Sequence, residues 1–314
     1  RQISFYLLIF FMKKVKKKEF NGYGVLAEHA LKVNKLLANL ARYFFNLSNN
    51  FKFEQFKIIF GERESDIYIS TYPKSGTTLM QMILYHLTTD GKMDFKHIYE
   101  VSPWIHNASF IGQKPPELSS PRIIKTHDNY KEFSKKTKGR FIYIYRNGMD
   151  VAISNYHQQK NYNNPDLKLE KYLNIFFKQK KWFKHTKEWM SNKKKLPILY
   201  IKYDDLLHNK SKEIERIISF LGIARNKKAI DRALKFSSFE FMKKNENLFG
   251  EQPKVSEKIY NQFIRKGKSG EGKSLFTKKQ KEIFMQYYKR MVKNAEEKAL
   301  VKNRFSETCS HHKK

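Results

Sequence analysis

The sequence predicts an α/β fold, a single domain with a central parallel β-sheet flanked by helices, and three observations support this. Short β-branched and aromatic runs alternate with helical patterns, as they do in βα units. The first of these runs leads directly into a Gly- and Thr-containing loop and then a helix, the opening step of a nucleotide-binding sheet. Hydrophobic residues make up 40% of the 314 residues, enough for a substantial core.

The strands are predicted from β-branched and aromatic composition, and the helices from the recurrence of apolar residues every three to four positions. The predicted strands are Asp66–Tyr72, Arg122–Lys125, Arg140–Tyr145 and Pro197–Tyr203. The predicted helices are Leu26–Phe45 (one or two helices), Leu79–Leu87, Met149–Tyr156, Leu167–Met190, Lys210–Leu221, Lys227–Asn245 and Thr277–Ala295.

The two ends of the chain differ in composition from the middle. We expect a basic and apolar leader over residues 1–19, the domain over 20–298 and a polar, basic tail over 299–314. The apolar run Ile3–Met12 is too short to span a bilayer, which takes about 20 residues. Lysine residues follow this apolar run, whereas a signal peptide has its basic residues before its apolar segment. Two interpretations stay open, a non-native leader or a short membrane-surface anchor.

The chain is strongly basic, with 63 Lys and Arg residues against 30 Asp and Glu residues and a net charge of +33. Such an excess attracts polyanions, anionic membrane surfaces and phosphorylated ligands. Two interpretations remain: compositional drift around a single anion site, or a polyanionic partner such as nucleic acid. The single cysteine, Cys309, excludes an intramolecular disulfide, and we expect a cytoplasmic protein. The scattered histidines give no ligand spacing, so no metal site is expected.

The loop Pro73–Thr78 is the sharpest chemical feature. A helix that begins near Thr77 aims its first backbone N–H groups into this loop, and the helix dipole favours an anion there. Gly76 lets the backbone approach closely, and Lys74 adds a full positive charge. These residues predict a phosphate-type binding site rather than an ordinary capped helix.

Five segments, in order, resemble the motifs of the cytosolic sulfotransferases over roughly residues 20–292. Thr71–Thr78 (TYPKSGTT) is similar to the 5′-phosphosulfate loop, and Arg146–Ser154 (RNGMDVAIS) to the 3′-phosphate motif. Arg265–Lys273 (RKGKSGEGK) is similar to the late RKGxxGxxK loop. Lys125–His127 (KTH) resembles the catalytic segment, and Ser238–Asn245 (SFEFMKKN) the helix beside the adenine.

The resemblance implies that 3′-phosphoadenosine 5′-phosphosulfate (PAPS) is the donor, that 3′-phosphoadenosine 5′-phosphate (PAP) is the product, and that no metal takes part. It places the 5′-phosphosulfate against Lys74, Ser75, Gly76, Thr77 and Thr78. It places the 3′-phosphate against Arg146, Ser154, Arg265, Lys266 and Gly267. The remaining nucleotide contacts would come from Leu79, Tyr203, Ser237, Ser238, Phe239, Met242, Phe263 and Ile264.

The resemblance also implies a mechanism. His127 would act as the general base towards an acceptor hydroxyl, since the pKa of histidine lies near neutrality. Lys74 would stabilise the leaving oxygen, and Lys125 would help to neutralise the transferred group. The acceptor would be a small molecule such as a phenol, a steroid, another alcohol or an amine. Tyr99–Pro116, with Trp104, Ile105 and Phe110, is a candidate wall of the acceptor pocket.

The chain departs from the family pattern in three places. Leu79 stands where the family usually has a Trp that stacks on adenine. The absence of this stacking is expected to weaken nucleotide binding by about 1 kcal/mol. Glu271-Gly272 stands where Asp-Trp is common, which is expected to loosen the loop over the nucleotide. Lys278 replaces an apolar residue of the family's dimer segment, which puts a homodimer in doubt.

Two alternatives compete with the sulfotransferase prediction. Gly267–Ser274 satisfies the GxxxxGK[ST] pattern of P-loop nucleotide hydrolases, but that loop needs an apolar strand before it and a helix directly after it. The second alternative is a catalytically impaired sulfotransferase-like protein that binds nucleic acid or another polyanion. The net charge favours it, whereas the joint presence of Lys74, Lys125, His127, Arg146 and Ser154 argues against it.

Overall fold

The computed structural model describes residues 29–30, 33–37, 39–40, 52–105, 118–250 and 263–301. The chain divides into two compact units, Arg1–Phe51 and Lys52–Lys314. In the first unit, residues 29–30, 33–37 and 39–40 are helical with exposed side chains, within the predicted helix Leu26–Phe45. The predicted leader, Phe110 of the predicted acceptor wall, and residues 302–314 of the predicted tail lie outside the described residues.

The second unit contains a four-stranded parallel sheet in the order β2-β1-β3-β4. The strands are β1 (Ile67–Thr71), β2 (Ile123–Thr126), β3 (Arg140–Tyr145) and β4 (Ile198–Lys202). The prediction of a parallel sheet is confirmed, with each strand within a residue or two of its predicted bounds. From β1 the chain adds strands to both sides, so a crevice opens at the carboxyl end of β1, where open α/β sheets bind ligands.

Both faces of the sheet are buried because alternate side chains of a strand point to opposite faces. Ile67 and Ile69 of β1 belong to one apolar cluster, which also includes Ile142 of β3. Tyr68 of β1 points to the other face and packs on Phe141 of β3, with ring centroids 4.9 Å apart. The sheet therefore separates two cores, each of which needs a layer of helices to cover it.

Helices cover both faces, as predicted. They are α1 (Lys52–Phe60), α2 (Thr77–Thr88), α3 (Gly148–Tyr162), α4 (Leu169–Gln179), α5 (Lys181–Ser191), α6 (Tyr203–His208), α7 (Lys210–Leu221), α8 (Lys227–Phe236), α9 (Phe239–Lys244), α10 (Glu271–Leu275) and α11 (Lys278–Tyr288). A π-helical turn, Lys289–Lys293, continues α11 into helical residues 294–301. Ala299, at the start of the predicted tail, is buried in the second core.

Two predicted helices are each divided in the structure, so those predictions were wrong in extent. The predicted helix Leu167–Met190 is α4 and α5, broken at Lys180, whose φ of +53° is left-handed. The predicted helix Lys227–Asn245 is α8 and α9, and Ser238 caps the start of the second. In the first case buried aromatic residues lie on both sides of the break, so the hydrophobic pattern alone gave no sign of it.

No helix within the described ranges is long and apolar enough to cross a membrane. The same ranges contain no cluster of three side chains that could hold a metal ion.

Candidate active site at the carboxyl ends of the strands

Each of the four strands delivers a predicted site residue at its carboxyl end. The loop with Lys74 follows β1, and His127 follows β2. Arg146 follows β3, and Tyr203 follows β4 as the first residue of α6. Because the strands are parallel, these four positions lie along one edge of the sheet, in the order His127, Lys74, Arg146, Tyr203. The topology thus gathers residues that are far apart in sequence.

The loop after β1 has the geometry of an anion cradle. Met80 N donates to Gly76 O at 3.1 Å, so the N–H groups of the first turn of α2 have no acceptor within the helix. Gly76 provides no side-chain cap, and its φ is +100°. The Ser75 hydroxyl is buried with no hydrogen-bond partner in the described part of the chain. These donors suit an anionic ligand at the positive end of the helix dipole.

Close packing explains why position 76 is a glycine. A Cβ atom there would lie 2.6 Å from Cδ2 of Tyr203, well inside van der Waals contact. The aromatic ring of Tyr203 therefore packs directly against the backbone of the anion loop. This contact places the start of α6 beside the start of α2.

Arg146 ties three segments of the site together. Its Nη1 donates to the backbone oxygen of Lys74 at 3.1 Å, and its Nη2 donates to that of Lys268 at 3.0 Å. The guanidinium carbon lies 4.4 Å from the ring centroid of Tyr203. A planar, delocalised guanidinium can stack on a ring while the N–H groups at its edge donate in fixed directions. Arg146 thus joins the anion loop to the late loop.

His127 is oriented by Thr71, at the end of β1. Its Nδ1 lies 2.9 Å from the backbone oxygen of Thr71 and 3.0 Å from Thr71 Oγ1. A carbonyl oxygen only accepts, so Nδ1 carries the proton in the neutral ring and the basic lone pair is on Nε2. Thr71 Oγ1 also lies 2.7 Å from Thr77 Oγ1. A chain of polar contacts therefore connects the imidazole to the start of the anion-binding helix.

Lys125 lies in an aromatic enclosure beside His127. Its Nζ donates to the Tyr99 hydroxyl at 2.7 Å and lies 4.4 Å from the ring centroid of Trp104. The Lys125 side chain is buried, and cation–π contacts of this kind stabilise a desolvated ammonium. Trp104 also lies 5.6 Å from the His127 ring, nearly edge to face. Trp104 of the predicted acceptor wall therefore adjoins both Lys125 and His127, and Tyr99 of the same wall adjoins Lys125.

The late loop carries a cluster of three charges. Arg265 forms a two-bond ion pair with Glu271, with Nη1 2.9 Å from Oε1. Lys266 Nζ also donates to Oε1 at 2.9 Å. Hydrogen bonds from Arg265, and then from Lys266, lower the pKa of Glu271 to about 2. Gly267, with φ of +60°, is packed so tightly on the Phe239 ring that a Cβ would lie 2.3 Å from Cδ2.

Asp150 is a site residue that the sequence analysis missed. Its buried carboxylate, in the first turn of α3, accepts hydrogen bonds from Gly270 N at 2.9 Å and Gly272 N at 2.7 Å. Gly272 lies so close to α3 that a Cβ would be 2.5 Å from the carbonyl carbon of Met149. The glycine that stands where Trp is usual thus lets the late loop dock on α3. An acidic residue shortly after Arg146 was the available signal, but sequence alone could not pair it with glycines 120 residues away.

The other residues that were predicted to contact the nucleotide lie in different surroundings. Lys74 Nζ lies 5.3 Å from the ring centroid of Phe263, and Leu79 and Ile264 pack on the first core. Ser154, partly buried, lies one helical turn beyond Asp150 on α3. Two of the predicted contacts also form hydrogen bonds within the protein: the Ser237 hydroxyl donates to Ala233 O, and Ser238 caps α9. Met242 of α9 is buried in the first core.

Together, the fold and site define an α/β protein that has a loop suited to an anion and a histidine at the carboxyl ends of neighbouring parallel strands. The family model for the Sulfotransferase domain matches residues 64–298, and the chain belongs to this family. Mouse (Mus musculus) Sulfotransferase 1B1 is 34% identical over 254 residues, 74% of this chain and 84% of that protein. Human (Homo sapiens) Sulfotransferase 2B1 is 33% identical over 246 residues, 74% of this chain and 67% of that protein.

Solved structures agree with this assignment at the level of the fold. The mouse sulfotransferase SULT7A1 complexed with PAP has a TM-score of 0.60 at 24% identity, covering 78% of this chain and 90% of that one. A retinol dehydratase in a complex with retinol and PAP has a TM-score of 0.61 at 19% identity, covering 77% and 86%. The predictions of an α/β sulfotransferase fold and of an enzyme are confirmed, and neither the P-loop hydrolase nor the polyanion-binding alternative is favoured.

Proposed function

We propose that this sulfotransferase moves a sulfuryl group from PAPS to a hydroxyl or amine of a small acceptor. The observation that carries the proposal is the placement of His127 against Thr71, which is itself hydrogen-bonded to the first residue of the anion-binding helix. A proton acceptor and an anion cradle thus lie side by side. The presence of PAP in the solved structures of similar fold supports the choice of donor.

The residues at the carboxyl ends of the strands fit the nucleotide. The unpaired N–H groups at the start of α2 and the buried Ser75 hydroxyl supply donors for the 5′-phosphosulfate, with Lys74 as the cation. Arg146 and the late-loop cations Arg265 and Lys266 supply positive charge for the 3′-phosphate. The ring of Tyr203, packed on Gly76 and under Arg146, would lie at the base of the nucleotide site.

PAPS supplies an activated sulfuryl group with PAP as its leaving group. The acceptor oxygen forms a bond to sulfur while the bridging S–O bond of the donor breaks, and His127 Nε2 takes the acceptor proton. Thr71 holds the imidazole in the tautomer that leaves Nε2 basic. Lys74 places positive charge where the leaving oxygen becomes negative. Lys125, held by Tyr99 and Trp104, would face the transferred group.

The proposal is tested by titrating PAP into the protein in an isothermal calorimeter, with an Arg146→Ala variant alongside. We expect one nucleotide per chain, and about 10- to 100-fold weaker binding in the variant, since charge-assisted hydrogen bonds contribute about 1.5–3 kcal/mol each. Arg225→Ala is the matched control, because Arg225 is an exposed arginine that pairs with Glu215 on α7. Equal affinity in the Arg146→Ala and Arg225→Ala variants would contradict the proposal.

Two further features stay predictions. The family resemblance implies a cytoplasmic protein, which cell fractionation would test. A homodimer through the segment around Lys278 is disfavoured by that charged residue, which is exposed at the start of α11. Analytical ultracentrifugation of the wild type against Lys278→Val would show whether an apolar residue there restores a dimer.

A further inference from the structure

A cleft of about 580 Å³ opens beside His127. Pro73 of the anion loop and His127 line it, together with Lys181, Lys184 and Glu188 of α5. Lys131, which follows β2, also lines it. The same cleft is therefore lined by the proposed general base and by a helix that carries none of the predicted site residues.

The sequence of α5 explains why these side chains face the cleft together. Trp182, Phe183 and Trp189 are buried and anchor the helix to the protein. Residues 181, 184 and 188 are spaced three and four apart, so they lie along one face of the helix. The ammonium groups of Lys181 and Lys184 are thus displayed in a row along the cleft.

The balance of charge in this cleft is positive. Lys181 and Lys184 are exposed, and neither forms an ion pair with any residue in the described ranges. Lys131 has only a loose ion pair with Glu132, at 3.7 Å. Glu188 is the acidic side chain among the lining residues. His185 also borders the cleft, but burial lowers its pKa to about 3 and leaves it neutral. Three cations therefore face one carboxylate.

We infer that the acceptor carries an anionic group, such as a carboxylate, at the end remote from its reacting hydroxyl, and that Lys181 and Lys184 bind this group. The inference rests on the proposed function, because it takes His127 as the site where the hydroxyl reacts. With the hydroxyl at His127, an extended molecule in the cleft would direct its far end along α5. Neutral acceptors of the same shape would lack the attraction of the two ammonium groups.

The probes are 6-hydroxy-2-naphthoate and 6-hydroxy-2-naphthamide, which match in size but differ in charge. Their binding to the PAP-saturated protein is followed by naphthol fluorescence at two salt concentrations. The carboxylate should bind at least about fivefold more tightly than the amide, with a smaller ratio at high salt, as expected for partly exposed ion pairs. The double variant Lys181→Gln/Lys184→Gln should bring the ratio close to one.

Lys187→Gln is the control variant, because Lys187 is an exposed lysine of the same helix that does not line the cleft. It should leave the ratio unchanged. Equal binding of the two probes, no binding of the carboxylate, or an equal effect of Lys187→Gln would overturn the inference. Failure of the proposed function gives a different result, namely no sulfate transfer to either probe in the presence of PAPS while the carboxylate still binds selectively.

Discussion

The imidazole Nδ1 of His127 lies 2.9 Å from the backbone oxygen of Thr71, the last residue of β1. The strand that leads into the anion-binding loop therefore also sets the tautomer of the proposed base on the neighbouring strand. Backbone atoms of a central strand are among the most rigid in a fold, so the orientation of the imidazole does not depend on a mobile side chain.

His127→Gln should slow sulfate transfer strongly while leaving nucleotide binding intact. A positioned general base contributes about 10²- to 10⁴-fold to rate, and we expect kcat to fall within that range. The measurement is transfer of radiolabelled sulfate from PAPS to 2-naphthol, with the PAP dissociation constant determined in parallel. A variant that retains normal kcat would show that another group takes the proton.

Asp150→Ala should weaken nucleotide binding by detaching the late loop from α3. The change leaves two backbone N–H groups, those of Gly270 and Gly272, without their carboxylate. Losing these bonds should lower the free energy of unfolding by about 1–3 kcal/mol, since the orphaned N–H group of Gly272 is buried. Urea unfolding and PAP titration measure the two effects. Asp166→Ala, at an exposed position, is the control, and an equal loss of PAP affinity there would contradict the role of Asp150.

Gly76→Ala should destabilise the protein more than Gly270→Ala. Both glycines have nearly the same left-handed φ, +100° and +98°, so the backbone strain of adding a Cβ is similar. At Gly76 the new Cβ would also meet the Tyr203 ring at 2.6 Å, whereas at Gly270 it would meet nothing within 4 Å. The extra loss should be about 1–3 kcal/mol, the cost of a local overpacking. Thermal unfolding of the two variants measures it, and equal losses would mean that Tyr203 moves aside freely.

Glu271 should stabilise the protein in a pH-dependent way. Arg265 and Lys266 lower its pKa from the ordinary 4.5 to about 2, so the folded state binds the proton less readily than the unfolded state. The stabilisation is fully present above pH 4.5 and is lost as the pH falls through about 2. Glu271→Gln should therefore lower stability at neutral pH and reduce the loss of stability on acidification within this window.

The measurement is chemical unfolding of the wild type and of Glu271→Gln at a series of pH values. Glu282→Gln, an exposed position on α11, is the matched control and should follow the wild-type curve. Parallel curves for the wild type and Glu271→Gln would show that the ion pair makes no net contribution to stability.

Much of the candidate site could be predicted because its residues occupy short contiguous motifs at the ends of strands. Lys74, His127 and Arg146 each lie within two residues of the end of a predicted strand, and the parallel topology brings such positions to one edge of the sheet. The divided helices were harder to predict, because buried aromatic residues lie on both sides of the break at Lys180. The role of Asp150 was not predictable either, since its partners are backbone groups of a distant loop.

The sequence by itself determined the fold class, the sulfotransferase family and the loop that suits an anion, because these depend on local patterns of strand, glycine and helix. Only the tertiary structure decided which partners those residues have. The bond from His127 to Thr71, the clamp of Asp150 on the late loop and the row of lysines beside the base each join segments separated in the chain. Such contacts arise from the packing of helices on a sheet, and no local pattern in the sequence encodes their geometry.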